Sequence, residues 1–131
     1  MRFFQKAKDG GPNSPVDAFF LFEIKSFASI ALLRFNEGCR ESYHTHAFNA
    51  WTWFLAGDLE EENYGAPSRK YKRSFFPKLT KRDDNHRVKA YKTSWCFTIR
   101  GPWKDTWTET KDGKEITLTH HRIIVKENDC N

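Results

Sequence analysis

Gly38-Cys39-Arg40-Glu41-Ser42-Tyr43-His44-Thr45-His46, continued by Ala50 and Gly57 and answered downstream by His86-Arg87-Val88-Lys89-Ala90, decides how this chain is read. Residues two apart on a strand project from the same face, so the imidazoles of His44 and His46 can reach one ion. A histidine from a neighbouring strand then supplies a third ligand and leaves the opposite coordination positions open to water, oxygen or substrate. His86 begins a strand-like run in which His86, Val88 and Ala90 share the apolar face while Arg87, Lys89 and Tyr91 face out. A buried histidine must satisfy two ring nitrogens, and a metal on one with a hydrogen bond on the other does so. His44, His46 and His86 are therefore the candidate metal ligands.

The rest of the chain supports a β-rich reading. Its 131 residues suit one domain with a single core. Aromatics reach 16%, with twelve Phe and five Trp against one Met, which fits sheet packing better than a helical bundle. Lys8 to Pro15 is a Gly/Pro/Asn/Ser turn cluster, so residues 1–15 are read as an N-terminal arm and residues 16–131 as the domain. Phe19 to Phe22 fit a short helix or a buried strand equally well, because periodicity does not separate the two over so short a run. Strands are expected over Ser26 to Phe35, in two pieces over Arg40 to Leu55 with a break at Ala47 to Asn49, and over Tyr71 to Phe76 closed by Pro77. His86 to Tyr91 and Ser94 to Arg100 read as a hairpin-like pair. Asp112-Gly113 is a two-residue hairpin turn between Thr106 to Thr110 and Glu115 to Val125. About eight short strands without a long helix or a repeat favour a sandwich or barrel.

Charge and cysteine usage narrow the function classes. The formal net charge of +5 favours an anionic ligand or surface. The cluster Arg69-Lys70-Tyr71-Lys72-Arg73 reads as a solvated loop or edge strand. Nucleic-acid binding through it ranks last, since no nucleic-acid motif accompanies the charge. Cys39, Cys96 and Cys130 are an odd set with no CxxC pair, which indicates neither a disulfide framework nor a thiolate zinc site and points to a reducing cytoplasm. The N-terminus lacks the apolar core of a signal peptide, and no apolar stretch reaches membrane-spanning length. A cytoplasmic protein without a membrane partner is expected.

The segment Gly38 to His46, with Ala50 and Gly57, resembles the first motif of the cupin superfamily, G-x5-HxH-x3,4-E-x6-G. Every spacing is kept, with Ala50 standing where the family usually has a ligating Glu. Phe76 to Val88 resembles the second cupin motif, with Pro77 in its proline region and His86 at its histidine, although that motif's glycine is absent. Trp95 to Trp103 is similar to the strand and turn that follow in short bacterial and phage cupins. The resemblance spans about residues 26 to 125 and implies an all-β double-stranded β-helix, the cupin or jelly-roll barrel. With the carboxylate missing, three neutral imidazoles resemble the three-His iron site of thiol dioxygenases and related cupins. That implies Fe2+, with Ni2+, Mn2+, Cu2+ and Zn2+ as alternatives, and a dioxygenase-type oxidation of a small anionic substrate. A neutral triad leaves about one more unit of positive charge at a divalent ion than a set with one carboxylate, which favours anions. The alternative is a non-catalytic cupin that binds or sequesters an anionic small molecule or nucleotide.

Several further residues are candidates for holding the substrate. Arg34, Arg40 and Arg100 lie on or beside strands expected to border the cavity, and one of them can clamp an anionic group unless it faces out or pairs with an acid. Ser42 and Tyr43 are the hydroxyls nearest the histidines. His120 and His121 are read as structural. Trp95, Trp103 and Trp107 are read as core and rim aromatics, with a pocket wall as the lesser alternative. Trp51, Trp53 and Leu55 fall on the face opposite Ala50 and need cover from the N-terminal segment or a second subunit, so a homodimer is expected.

Overall fold

The computed structural model describes residues 1–39, 43–119 and 122–129. They form fourteen strands and no α-helix: β1 (Arg2–Lys8), β2 (Val16–Ile24), β3 (Ala28–Phe35), β4 (Gly38–Cys39), β5 (Tyr43–His44), β6 (Ala50–Ala56), β7 (Leu59–Asn63), β8 (Arg69–Tyr71), β9 (Lys78–Thr80), β10 (His86–Ala90), β11 (Ser94–Arg100), β12 (Thr106–Lys111), β13 (Lys114–Thr119) and β14 (Ile124–Asp129). The strand pairs are antiparallel and make two sheets. One runs β1-β2-β3-β11-β6-β9; the other runs β14-β13-β12-β5-β10-β7-β8, with β4 also paired to β10.

Period-2 alternation decides which residues fill the space between the sheets. On β11, Ser94, Cys96, Thr98 and Arg100 are buried and point inward, while Trp95, Phe97 and Ile99 point outward. The core joins Val16, Ala18, Phe20, Ala31, Leu33 and Cys96 of the first sheet to Leu59 and Ala90 of the second. That is the pattern of two sheets packed face to face. Phe19 to Phe22 resolve as strand, within β2. A register shift between Phe20 and Phe22 leaves Leu21 as the extra residue, 46% exposed. The bulge switches the strand's parity, so Glu23 rather than Phe22 faces the interior, where Arg2 of β1 meets it at 3.4 Å.

Several expected elements are redrawn. The strand foreseen over Tyr71 to Phe76 ends at Tyr71, which pairs with Leu59, and Phe75 and Phe76 beyond it are exposed. The hairpin foreseen between His86 to Tyr91 and Ser94 to Arg100 does not form. β10 pairs with β7, β5 and β4, whereas β11 pairs with β3 and β6, so the short connection between them crosses from one sheet to the other. Glu115 to Val125 divides into β13 and the start of β14. The Asp112-Gly113 hairpin is present, with φ of 51° and 74° at its two central residues, the left-handed pair that a type I′ turn requires.

The chain also changes sheets at Gly57, between β6 and β7. Its φ is +115°, and a Cβ built there would lie 2.0 Å from Ser94 Oγ and 2.5 Å from Ser94 Cα. Ser94 Oγ accepts from the Asp58 amide and donates to the Lys92 carbonyl, both at 2.9 Å, which ties the two crossovers together. On β6, Ala50 is buried while Trp51 and Leu55 are 47% and 42% exposed, the facing expected of that strand. The N-terminal segment does not cover them. It is taken up as β1, four strands away from β6 in the same sheet.

Candidate metal centre

β5 lies between β10 and β12, with His44 directly opposite His86 on one side and Glu109 on the other. Opposed residues in an antiparallel pair project to the same face about 5 Å apart, so the pairing delivers His44, His86 and Glu109 to the interior together. His46 lies just beyond β5 and is held by backbone bonds. Thr45 N donates to Thr108 O at 2.9 Å, and His46 N donates to Arg82 O at 3.0 Å. The Thr45 hydroxyl also accepts from Thr108 N at 2.9 Å. The three imidazole centroids form a near-equilateral triangle with sides of 4.8, 4.8 and 4.9 Å.

The donor set fits a divalent ion. One nitrogen from each ring lies within 4.8 Å of the other two. His46 Nε2 and His86 Nε2 are 3.4 Å apart. Two nitrogens each about 2.1 Å from an ion and about 110° apart are separated by about 3.4 Å, so the observed spacing suits a shared metal. His44 and His86 are buried, whereas His46 is half-buried.

Glu61 fixes the orientation of His86, and it was missed in the sequence. His86 Nδ1 donates to Glu61 Oε2 at 2.6 Å, Lys78 Nζ donates to the same oxygen, and Tyr71 OH donates to Glu61 Oε1 at 3.4 Å. Burial pushes the Glu61 carboxyl up, but the hydrogen bonds from His86 and Lys78 outweigh it and hold the group down to about 2. A carboxylate oxygen accepts, so the contact orients the ring through its Nδ1–H and aims Nε2 at the other two imidazoles. The signal for Glu61 was available. Leu59 is apolar and buried, and strand parity then turns Glu61 inward as well, between Glu60 and Glu62.

The histidines stand where two cavities meet. A cavity of about 100 Å³ lies on one side, walled by apolar groups such as Leu33, Phe54 and Val88, with Ala50 and Cys96 also on its wall. Cys96 is fully enclosed, and burial pushes its thiol up to about 12, so it is an inert wall residue. A larger cavity of about 370 Å³ opens on the other side and shares His44 and His46 with the first. Trp103 and Trp107 pack on Ala47, Phe48 and Ala50 and also wall this larger space.

The candidate substrate residues separate. Arg100 is buried and lines the smaller cavity, but its guanidinium is clamped by both oxygens of Asp9, at 3.2 and 2.6 Å. Arg34 is not at the cavity. It sits on the outer face opposite Leu33, bonded to Asp17 at 2.8 Å and lying over the rings of Phe19 and Trp95. Tyr43 points away from its neighbour His44; its ring lies 4.5 Å below the Arg87 guanidinium and its hydroxyl is 3.5 Å from Glu62. Arg40, Ser42, His120, His121 and Cys130 lie outside the described residues. Among the described residues, each carboxylate lining the two cavities is tied to a cation: Asp9 to Arg100, Glu23 to Arg2, Glu61 to Lys78, and Glu109 to Arg122 at 2.8 Å.

The two sheets, their crossovers and the inward histidines define a cupin fold, and comparison with solved structures agrees. A cupin-superfamily sugar phosphate isomerase from Silicibacter pomeroyi superposes with a TM-score of 0.66 at 9% identity, over 96% of this chain and 88% of that one. A protein with a double-stranded β-helix domain from Klebsiella pneumoniae gives 0.59 at 13% identity, over 78% and 90%. An RmlC-like cupin from Shewanella frigidimarina gives 0.57 at 11% identity, over 76% and 84%. No family model matches the chain, and no curated protein matches its sequence. The chain therefore has the cupin double-stranded β-helix, carrying a three-histidine cluster. No helix among the described residues is long and apolar enough to cross a membrane.

Proposed function

We propose that this protein is a metal-dependent cupin that binds one divalent ion, Fe2+ in first place, through His44, His46 and His86, and oxidises a small anionic substrate with oxygen. The observation that carries the reading is the convergence of three imidazole nitrogens with Glu61 bracing His86 from behind. An iron ion held there would supply electron-transfer and oxygen chemistry that no side chain provides. The chain's own residues do the rest. Glu61 sets the His86 tautomer, the apolar side of the smaller cavity restricts water, and the neutral imidazole set leaves the ion's charge to attract an anion.

The carboxylates favour this reading over proton-transfer chemistry. A general base must reach the proton it removes, and the acids on the cavity walls already bond to Arg or Lys. The same observation favours a second reading, a non-catalytic cupin that only binds its anion. Oxygen uptake during a screen of small thiols and carboxylic acids separates the two: uptake that requires iron and disappears in His86→Ala supports the enzyme, and ligand binding that survives chelation without uptake supports the binder. A cytoplasmic homodimer is part of the proposal. Trp51 pairs across to Leu79 on the outer face of β6 and β9, and with Leu55 they leave an exposed apolar strip suited to a second copy.

A further inference from the structure

The larger cavity carries four basic side chains on its wall, and three are already engaged. Arg2 pairs with Glu23 at 3.4 Å, Lys8 with Asp17 at 2.9 Å and Arg122 with Glu109 at 2.8 Å. Lys25 pairs with no carboxylate among the described residues; instead its Nζ stands 4.7 Å over the Trp103 ring. Trp103 N donates to the Lys25 carbonyl at 2.7 Å, so the backbone holds the two residues side by side. Trp107 meets Trp103 edge to face at 5.7 Å, and Phe48 lies 5.4 Å from it. Phe48 in turn lies 5.4 Å from the ring of His46.

The geometry points to a substrate subsite here, with Lys25 receiving a carboxylate and Trp103, Trp107 and Phe48 receiving a flat ring: the ligand is an aromatic monocarboxylate. This rests on the anionic-substrate reading above and names the class of anion. One cation not yet matched to an acid balances one negative charge, and the neighbouring Glu23 and Glu109 disfavour a dianion such as a phosphate ester. The ring surfaces present flat apolar area, and the wall's other Lys, Arg, Asp and Glu side chains are each in an ion pair, so a polyhydroxylated ring would lose hydrogen bonds to water without replacement. A volume of about 370 Å³ lies within the range of small-ligand sites, roughly 300–1,000 Å³. His44 and His46 share this wall, which sets the ring within the same chamber as the metal ligands.

The test is calorimetric titration of benzoate into chelator-treated protein, with acetate, benzamide and phenyl phosphate as comparison probes. Benzoate is expected to bind about tenfold or more tighter than each of the other three. Lys25→Met should lower benzoate affinity by at least about tenfold, and Lys25→Arg should restore most of it. Lys25 is only half-buried and outside the core, so the folded state survives both changes. No benzoate binding by the wild type, equal binding by Lys25→Met, or tighter binding of phenyl phosphate than of benzoate would each overturn the assignment. Repeating the titration on His44→Ala/His46→Ala keeps the two readings apart. Benzoate binding retained in that variant supports the subsite whatever its metal content, and metal content measured in Lys25→Met reports on the histidine centre alone.

Discussion

Glu61 and His86 lie on neighbouring strands of one sheet, two positions out of register, and the carboxylate accepts from the imidazole Nδ1 at 2.6 Å. The pairing gives the third histidine one tautomer and one orientation. Glu61→Gln should therefore weaken metal binding by about 10- to 100-fold, because a carboxamide accepts less strongly and no longer raises the basicity of the ring. Competition with a chromophoric chelator reads this directly. An unchanged affinity would show that His86 is oriented by its strand alone.

Asp17 is buried on the outer face, where Arg34, Lys8 and Asn36 bond to it and hold its carboxyl well below the usual carboxylate range. A depressed folded pKa contributes stability that is present above the unfolded value of about 4 and is lost as pH falls from there towards the folded value. Asp17→Asn should lower the melting temperature by about 4 °C at pH 7, the shift expected for about 1 kcal/mol in a chain of this size. The gap between variant and wild type should close as the pH is taken below about 4. A pH-independent gap in thermal melts would assign the loss to packing instead.

Gly57→Ala should be among the most damaging single-methyl changes in the chain. The new Cβ would lie 2.0 Å from Ser94 Oγ at a residue whose φ is +115°, so both the backbone and its neighbour resist it. A loss of about 3 kcal/mol or more follows. Gly113→Ala meets open space at φ +74° and should cost only about 1–2 kcal/mol. Urea denaturation of the two variants checks the ranking, and equal midpoints would contradict it.

The three clustered histidines were legible because spacing carries them, and the fold because the same spacing resembles the cupin motif. His44 and His46 sit two apart, the Gly38 and Gly57 spacings are kept, and the parity of His86, Val88 and Ala90 turns His86 inward. Pairing partners were not legible. Nothing local to Tyr91 to Thr93 distinguishes a hairpin from a crossover between sheets, which is set by the contacts of β10 and β11 with distant strands. Arg34 and Arg100 illustrate the same limit. Both lie on strands, yet one faces outward to Asp17 and the other inward to Asp9, a residue 91 positions away in a turn cluster that offers no pattern to read. The bulge at Leu21 likewise alters which residues of β2 face in, without a glycine or proline to mark it.

The central claim is that His44, His46 and His86 hold a metal ion, and metal content tests it most directly. Protein purified without an affinity tag and analysed by plasma mass spectrometry should carry close to one equivalent of a divalent metal, chiefly iron, and His44→Ala/His46→Ala should carry almost none while remaining folded by circular dichroism. Folded wild-type protein that neither carries metal nor takes up iron on reconstitution would contradict the account.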